Sequence, residues 1–116
     1  MSEQWHAVAR VGALRSGDVI AVEVDGVALA LGRDGDRYFA VQRRCIHRGG
    51  DLSDGIVARG HVVCPQHGWR FSTATGRHDG EAEYCLVRYA VRVTGGQIEV
   101  DPRPLPGHEE GSEPGR

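Results

Sequence analysis

Cys45-Ile46-His47-Arg48-Gly49-Gly50-Asp51-Leu52 and Cys64-Pro65-Gln66-His67-Gly68-Trp69-Arg70-Phe71 are the two stretches on which the reading of this chain turns. Each opens on a cysteine and places a histidine one or two residues later, and 16 residues separate His47 from Cys64. Glycine follows each pair, at Gly49 and Gly50 and at Gly68, where the backbone can bend around a bound group. Thiolates and imidazoles together suit an iron–sulfur cluster or zinc. A tetrahedral Cys₂His₂ zinc site usually opens with about two to four residues between its first ligands. The single residue between Cys45 and His47 fits that badly, and a Cys-x-His loop directs its two side chains more naturally to neighbouring metals.

Outward from these loops, short apolar and β-branched stretches alternate with turn signals. They are Val19 to Val24, Val27 to Leu31, Tyr38 to Val41, Ile56 to Val63, Trp69 to Phe71, Leu86 to Val93 and Gln97 to Val100. Asp25-Gly26, Asp34-Gly35 and Gly95-Gly96 are hairpin signals. Tyr89 to Val93 alternates with the period of a half-exposed strand, and no long stretch has a helical period. The fold class expected is all-β, a small antiparallel sandwich or barrel. The segment from Asp101 onward holds four of the five prolines and a single large aliphatic residue, Leu105. Such a segment buries too little to offset its ordering entropy. The expected division is therefore one domain over residues 1–101 and a disordered Pro/Gly/Glu-rich tail over 102–116.

The 116 residues carry 14 arginines, no lysine and 16 acidic residues, for a net charge of -2. Up to Val100 the charges balance, 12 arginines against 12 acids, so nothing points to nucleic acid or an anionic membrane as partner. No apolar run reaches the roughly 18–20 residues of a membrane span, and the opening Met1-Ser2-Glu3-Gln4-Trp5-His6 does not read as a secretory signal. Three cysteines are too few for a disulfide scaffold and suit metal ligation in a reducing compartment. A cytoplasmic, monomeric protein is expected.

The paired motif resembles the two cluster loops of Rieske-type 2Fe–2S ferredoxins, and the resemblance extends from Trp5 to the strands ending at Val100. It implies stacked antiparallel sheets with both cluster-binding loops at the tip. It also implies one 2Fe–2S cluster, held by Cys45 and Cys64 on one iron and by His47 and His67 on the other. Relatives from respiratory membrane complexes carry an additional cysteine in each loop. Gly50 and Gln66 stand near those places here, so the resemblance is to the soluble ferredoxin branch. With two neutral imidazoles the cluster carries no net charge when oxidised and minus one when reduced, which favours a higher potential than an all-cysteine cluster has. Gly68 stands where high-potential relatives carry a serine, which implies a potential low in the Rieske range.

Other residues take structural readings. Cys85 is expected to be a buried small apolar residue, and Trp69 to pack beneath the second loop. His6, His61, His78 and His108 are expected as surface or strand residues, and Asp51 and Asp54 as shapers of the turn after the first loop. Arg43, Arg44 and Arg48 surround the first loop and are candidates for contact with an acidic partner. No second site for substrate chemistry is visible, so the chain is expected to move single electrons and transform nothing by itself. The resemblance implies a flavin-dependent NAD(P)H reductase as donor and a terminal oxygenase as acceptor. The alternative it leaves open is the small Rieske subunit of an NADH-dependent nitrite reductase.

Overall fold

The computed structural model describes residues 5–46, 50–66, 68–80 and 84–105. Among them run nine strands: β1 His6–Arg10, β2 Val19–Val24, β3 Val27–Asp34, β4 Arg37–Gln42, β5 Ile56–Ala58, β6 His61–Val63, β7 Arg70–Ser72, β8 Arg88–Thr94 and β9 Gln97–Pro104. Two short 3₁₀ turns, Val11–Ala13 and Leu52–Asp54, join them. All pairings between these strands are antiparallel, in a six-stranded sheet of order β1-β9-β8-β4-β3-β2 and a three-stranded sheet β5-β6-β7. The all-β expectation holds.

The hairpins follow from local chemistry. Asp25 and Gly26 both have positive φ (55° and 82°) and join β2 to β3 with Val24 opposite Val27, the two-residue loop whose twist matches its strands. The β3–β4 loop lies one residue later than Asp34-Gly35: Asp34 pairs with Arg37, leaving Gly35 and Asp36 in the turn. The stretch Ile56 to Val63, read as one strand, is a hairpin in itself, β5 and β6 around Arg59 (φ 55°) and Gly60 (φ 79°). An arginine in left-handed backbone is uncommon, so that turn carried a weak signal in the chain. β1 carried no strand signal of its own and is held by pairing with β9.

The tail boundary also needs correction. β9 continues through Asp101, Pro102 and Arg103 to Pro104, with Pro104 opposite Tyr89 and the Leu105 amide donating to the Arg88 carbonyl. Asp101 and Pro102 are buried, and the Asp101 carboxylate accepts from the Arg103 amide and guanidinium. That pairing holds Asp101 below its ordinary carboxylate range. Residues 106–116 lie outside the described residues.

Strand alternation builds two cores around one sheet. Leu29, Leu31 and Ala40 face inward with Leu14, Val24, Ile98 and Val100. The intervening Ala30, Phe39 and Val41 face the small sheet and pack with Val57, Val62, Phe71 and Leu86. Cys45 and Cys64 belong to this second core. β3 and β4 are thus covered on both faces, which is why they read as near-continuous apolar runs.

Candidate metal centre

The first loop leaves β4 at Gln42, whose side chain clamps its base. Nε2 donates to the Arg44 carbonyl at 2.7 Å and Oε1 accepts from the Val87 amide at 2.8 Å. The return strand closes on the outgoing one: the Leu52 amide donates to the Arg43 carbonyl, Arg44 bridges Asp51, and the Cys45 amide donates to the Gly50 carbonyl at 2.7 Å. Asp51 accepts from Arg43 Nη2 at 2.9 Å and Nε at 3.0 Å, and from the amide and hydroxyl of Ser53. The Arg43 guanidinium, with Ser53 in support, holds the Asp51 carboxyl at about 2 against the opposing effect of burial. The expectation that Asp51 shapes the turn is met; that Arg43 closes the same loop was not legible. Arg43, a candidate for contact with a partner, is engaged with Asp51 within the chain and keeps part of its side chain exposed.

The second loop joins β6 to β7, with Val63 opposite Arg70 and the Cys64 amide donating to the Trp69 carbonyl at 2.8 Å. Trp69 packs on His78 (ring centroids 4.1 Å apart), Tyr84 (5.3 Å) and Phe71 (6.2 Å). It is a packing residue, as expected. His78 was expected as a surface or strand residue: its backbone does bridge Phe71 in strand fashion, and its ring, beyond that expectation, lies within this aromatic cluster. His61 stands on β6 with Nδ1 3.1 Å from the Arg59 carbonyl, and His6 stands on β1. His108 lies outside the described residues.

The two loops bring Cys45 (3% exposed) and Cys64 (1% exposed) together as free thiols. Burial pushes the Cys64 thiol up, a hydrogen bond from the Gln66 backbone opposes that, and the Cys45 thiol beside it adds to the rise. Metal binding would therefore have to displace a proton that the Cys64 thiol holds firmly when free. Gly50 crosses close by, and a Cβ there would lie 2.9 Å from Cys64 Sγ. Two adjacent buried thiols from separate closed loops, with side-chain space kept clear beside one sulfur, fit a sulfur-rich metal cluster. His47 and His67 lie outside the described residues. Cys85 stands apart: it is half-buried rather than buried, and its thiol faces the Thr75 carbonyl at 3.5 Å.

Fold and site together define an all-β iron–sulfur protein. The chain matches the family described as the Rieske 2Fe–2S domain over residues 4–89, and it belongs to that family, which binds one 2Fe–2S cluster. It is 29% identical over 102 residues to the ferredoxin component of a naphthalene 1,2-dioxygenase system of Pseudomonas aeruginosa, covering 87% of this chain and 98% of that one. In structure it is similar to a chain in the complex of reduced oxygenase and oxidized ferredoxin of carbazole 1,9a-dioxygenase (TM-score 0.81, 26% identity, 90% of this chain and 98% of that one). A nitrite reductase small subunit from Mycobacterium tuberculosis, described as NADH-dependent, has the same fold (TM-score 0.81, 25% identity, 90% of this chain and 100% of that one).

Proposed function

We propose that this chain is a one-electron carrier, the ferredoxin component of an oxygenase system, with Cys45 and Cys64 on one iron of its cluster and His47 and His67 on the other. The observation that carries the reading is the meeting of the two buried thiols at the ends of two loops, in a chain matched over nearly its whole length by ferredoxin components. When bound, the cluster supplies a one-electron couple. The chain's own residues close the loops: Gln42, Arg43 and Asp51 for the first, and the Cys64–Trp69 backbone bond for the second. Burial keeps the cysteine sulfurs from bulk water.

The partners proposed are a flavin-dependent NAD(P)H reductase as donor and a terminal oxygenase as acceptor, met in weak and transient encounters by a monomer. The cytoplasm is the compartment that suits its unpaired cysteines. Among the described residues no helix is long and apolar enough to cross a membrane. The test is a reconstitution. Anaerobically purified protein should hold about two irons and two acid-labile sulfides per chain and couple NAD(P)H oxidation by such a reductase to turnover of a ring-hydroxylating oxygenase. One zinc and no sulfide would defeat the reading. The similarity to a nitrite reductase small subunit supports a second reading, and stable co-purification with a large sirohaem-bearing chain would favour it.

A further inference from the structure

The two cysteines belong to different sheets: Cys45 follows β4 of the six-stranded sheet and Cys64 follows β6 of the three-stranded one. How one sheet sits on the other therefore sets where the two sulfurs meet. Between the sheets lie Phe39, Val41, Val57, Val62 and Phe71. Their burial holds the sheets together but is non-directional, whereas a hydrogen bond fixes direction. Along its β7 margin the small sheet is joined to the large one through backbone bonds, Ser72 to Arg77, Leu86 to Gly76 and Gln42 of β4 to Val87. At the end of β6 away from Cys64 a side chain crosses between the sheets. Asp34, the last residue of β3, accepts through Oδ2 from the Gly60 amide. Arg59 and Gly60 are the loop residues of a two-residue hairpin (φ 55° and 79°), in which the second loop amide has no partner in its own ladder. The Gly60 carbonyl accepts in turn from the amide (2.9 Å) and the hydroxyl (3.3 Å) of Thr73. One residue is thereby tied to both strands that carry the second loop, β6 directly and β7 through Thr73.

We propose, on the ferredoxin reading given above, that Asp34 is a positioning residue for the metal centre: a latch that fixes the small sheet on the large one and so keeps Cys64 in place against Cys45. Gly60 lies four residues before Cys64, about 13 Å at about 3.3 Å per strand residue. Asp34 therefore acts at a distance, through β6. That strand is paired on both edges, with β5 and with β7, and moves as a unit with its sheet. With the latch undone the small sheet is free to turn about its β7 margin, and the end that carries Cys64 moves with it. Asparagine keeps an acceptor oxygen at the same place, and alanine keeps none.

Hydrogen–deuterium exchange read by mass spectrometry on the full cluster-bearing chain, together with iron release to excess chelator, tests this. In Asp34→Ala, segment 56–72 exchanges roughly fivefold faster, the scale of one net hydrogen bond, while segment 37–46 keeps its wild-type rate. Such a split is the mark of local rather than global opening. Iron release quickens by a similar factor, and Asp34→Asn restores both rates. Ile98→Val, which thins the other core, is the control for general loss of stability and leaves the ratio between the two segments unchanged. Equal acceleration of both segments in Asp34→Ala overturns the latch. Faster exchange with unchanged iron release overturns its link to the metal centre. Asp34→Asn behaving as Asp34→Ala overturns the assignment to the hydrogen bond. A wild-type chain that holds no iron defeats the ferredoxin reading instead, and the exchange ratio then decides the latch alone.

Discussion

Gly50 of the first loop lies so close to Cys64 of the second that a methyl group on its Cα would sit 2.9 Å from the sulfur and 3.2 Å from Gln66 Cγ. The contact joins the two loops directly. Gly50→Ala forces either the cysteine or the loop to move, an overpacking cost of about 1–3 kcal/mol. The expected result is a protein that still folds but holds well under the wild-type iron and sulfide content. Full occupancy with an unchanged visible spectrum would show that the loops have slack.

Asp51 ties Arg43 to Ser53 across the base of the first loop. Asp51→Ala should cost roughly 1–2 kcal/mol, the scale of a lost cap and its hydrogen bonds. It should also speed loss of the visible absorption on mild heating. The pH dependence follows from the folded pKa of about 2 against an ordinary 3.8. A carboxylate depressed on folding stabilises fully above its unfolded pKa and loses that contribution as pH falls through the folded one. The gap in urea midpoint between wild type and Asp51→Asn should therefore be constant down to about pH 5 and narrow below about pH 4. A gap that widens in acid would reverse the sign argued here.

The ligand set separates cleanly by substitution. His67→Ala should abolish or destabilise the cluster, whereas Cys85→Ala, which removes a half-buried thiol facing the Thr75 and Leu86 carbonyls, should retain it. Iron and sulfide analysis with visible spectra decides. A folded but colourless Cys85→Ala variant would mean that the ligand cysteines are wrongly assigned.

Ending the chain after Asp101 should lower the melting temperature by several degrees relative to a chain ending after Leu105. The shorter chain loses the buried Pro102, the Tyr89–Pro104 pairing and the Leu105–Arg88 hydrogen bond. About 1 kcal/mol corresponds to about 4–8 °C in a domain of this size. Differential scanning calorimetry of the two truncations measures it, and coincident melting curves would show that the last strand residues contribute nothing.

The reduction potential should lie near the low end of the Rieske range, roughly -150 mV. The amides of Cys45 and Cys64 donate to the Gly50 and Trp69 carbonyls rather than to sulfur. Gly68, at φ 69°, offers no side-chain donor. The Gln66 backbone does donate to the Cys64 sulfur, but a missing side-chain donor at position 68 leaves more charge on the sulfurs and makes the added electron less welcome. Protein-film voltammetry gives the value, and a potential above about +100 mV, in the upper part of that range, would contradict the argument.

The sequence by itself determined the class of protein. Ligand chemistry is local: the proposed ligands Cys45 and His47, and Cys64 and His67, stand out by residue type and spacing within a few positions. Period-two stretches and Asp25-Gly26 likewise announce strands and a turn, because side-chain alternation and positive φ are properties of neighbouring residues. What only the tertiary structure decided depends on residues distant in the chain. Pairing with β8 drew β9 past Val100 into a segment whose composition argued for disorder, because a ladder partner supplies the hydrogen bonds and burial that composition cannot. His78 joined the aromatic cluster, and Arg43 closed on Asp51, through contacts that no periodicity records. The proximity of Gly50 to the Cys64 sulfur belongs to the same kind: each loop is legible alone, but their meeting depends on the core beneath both of them.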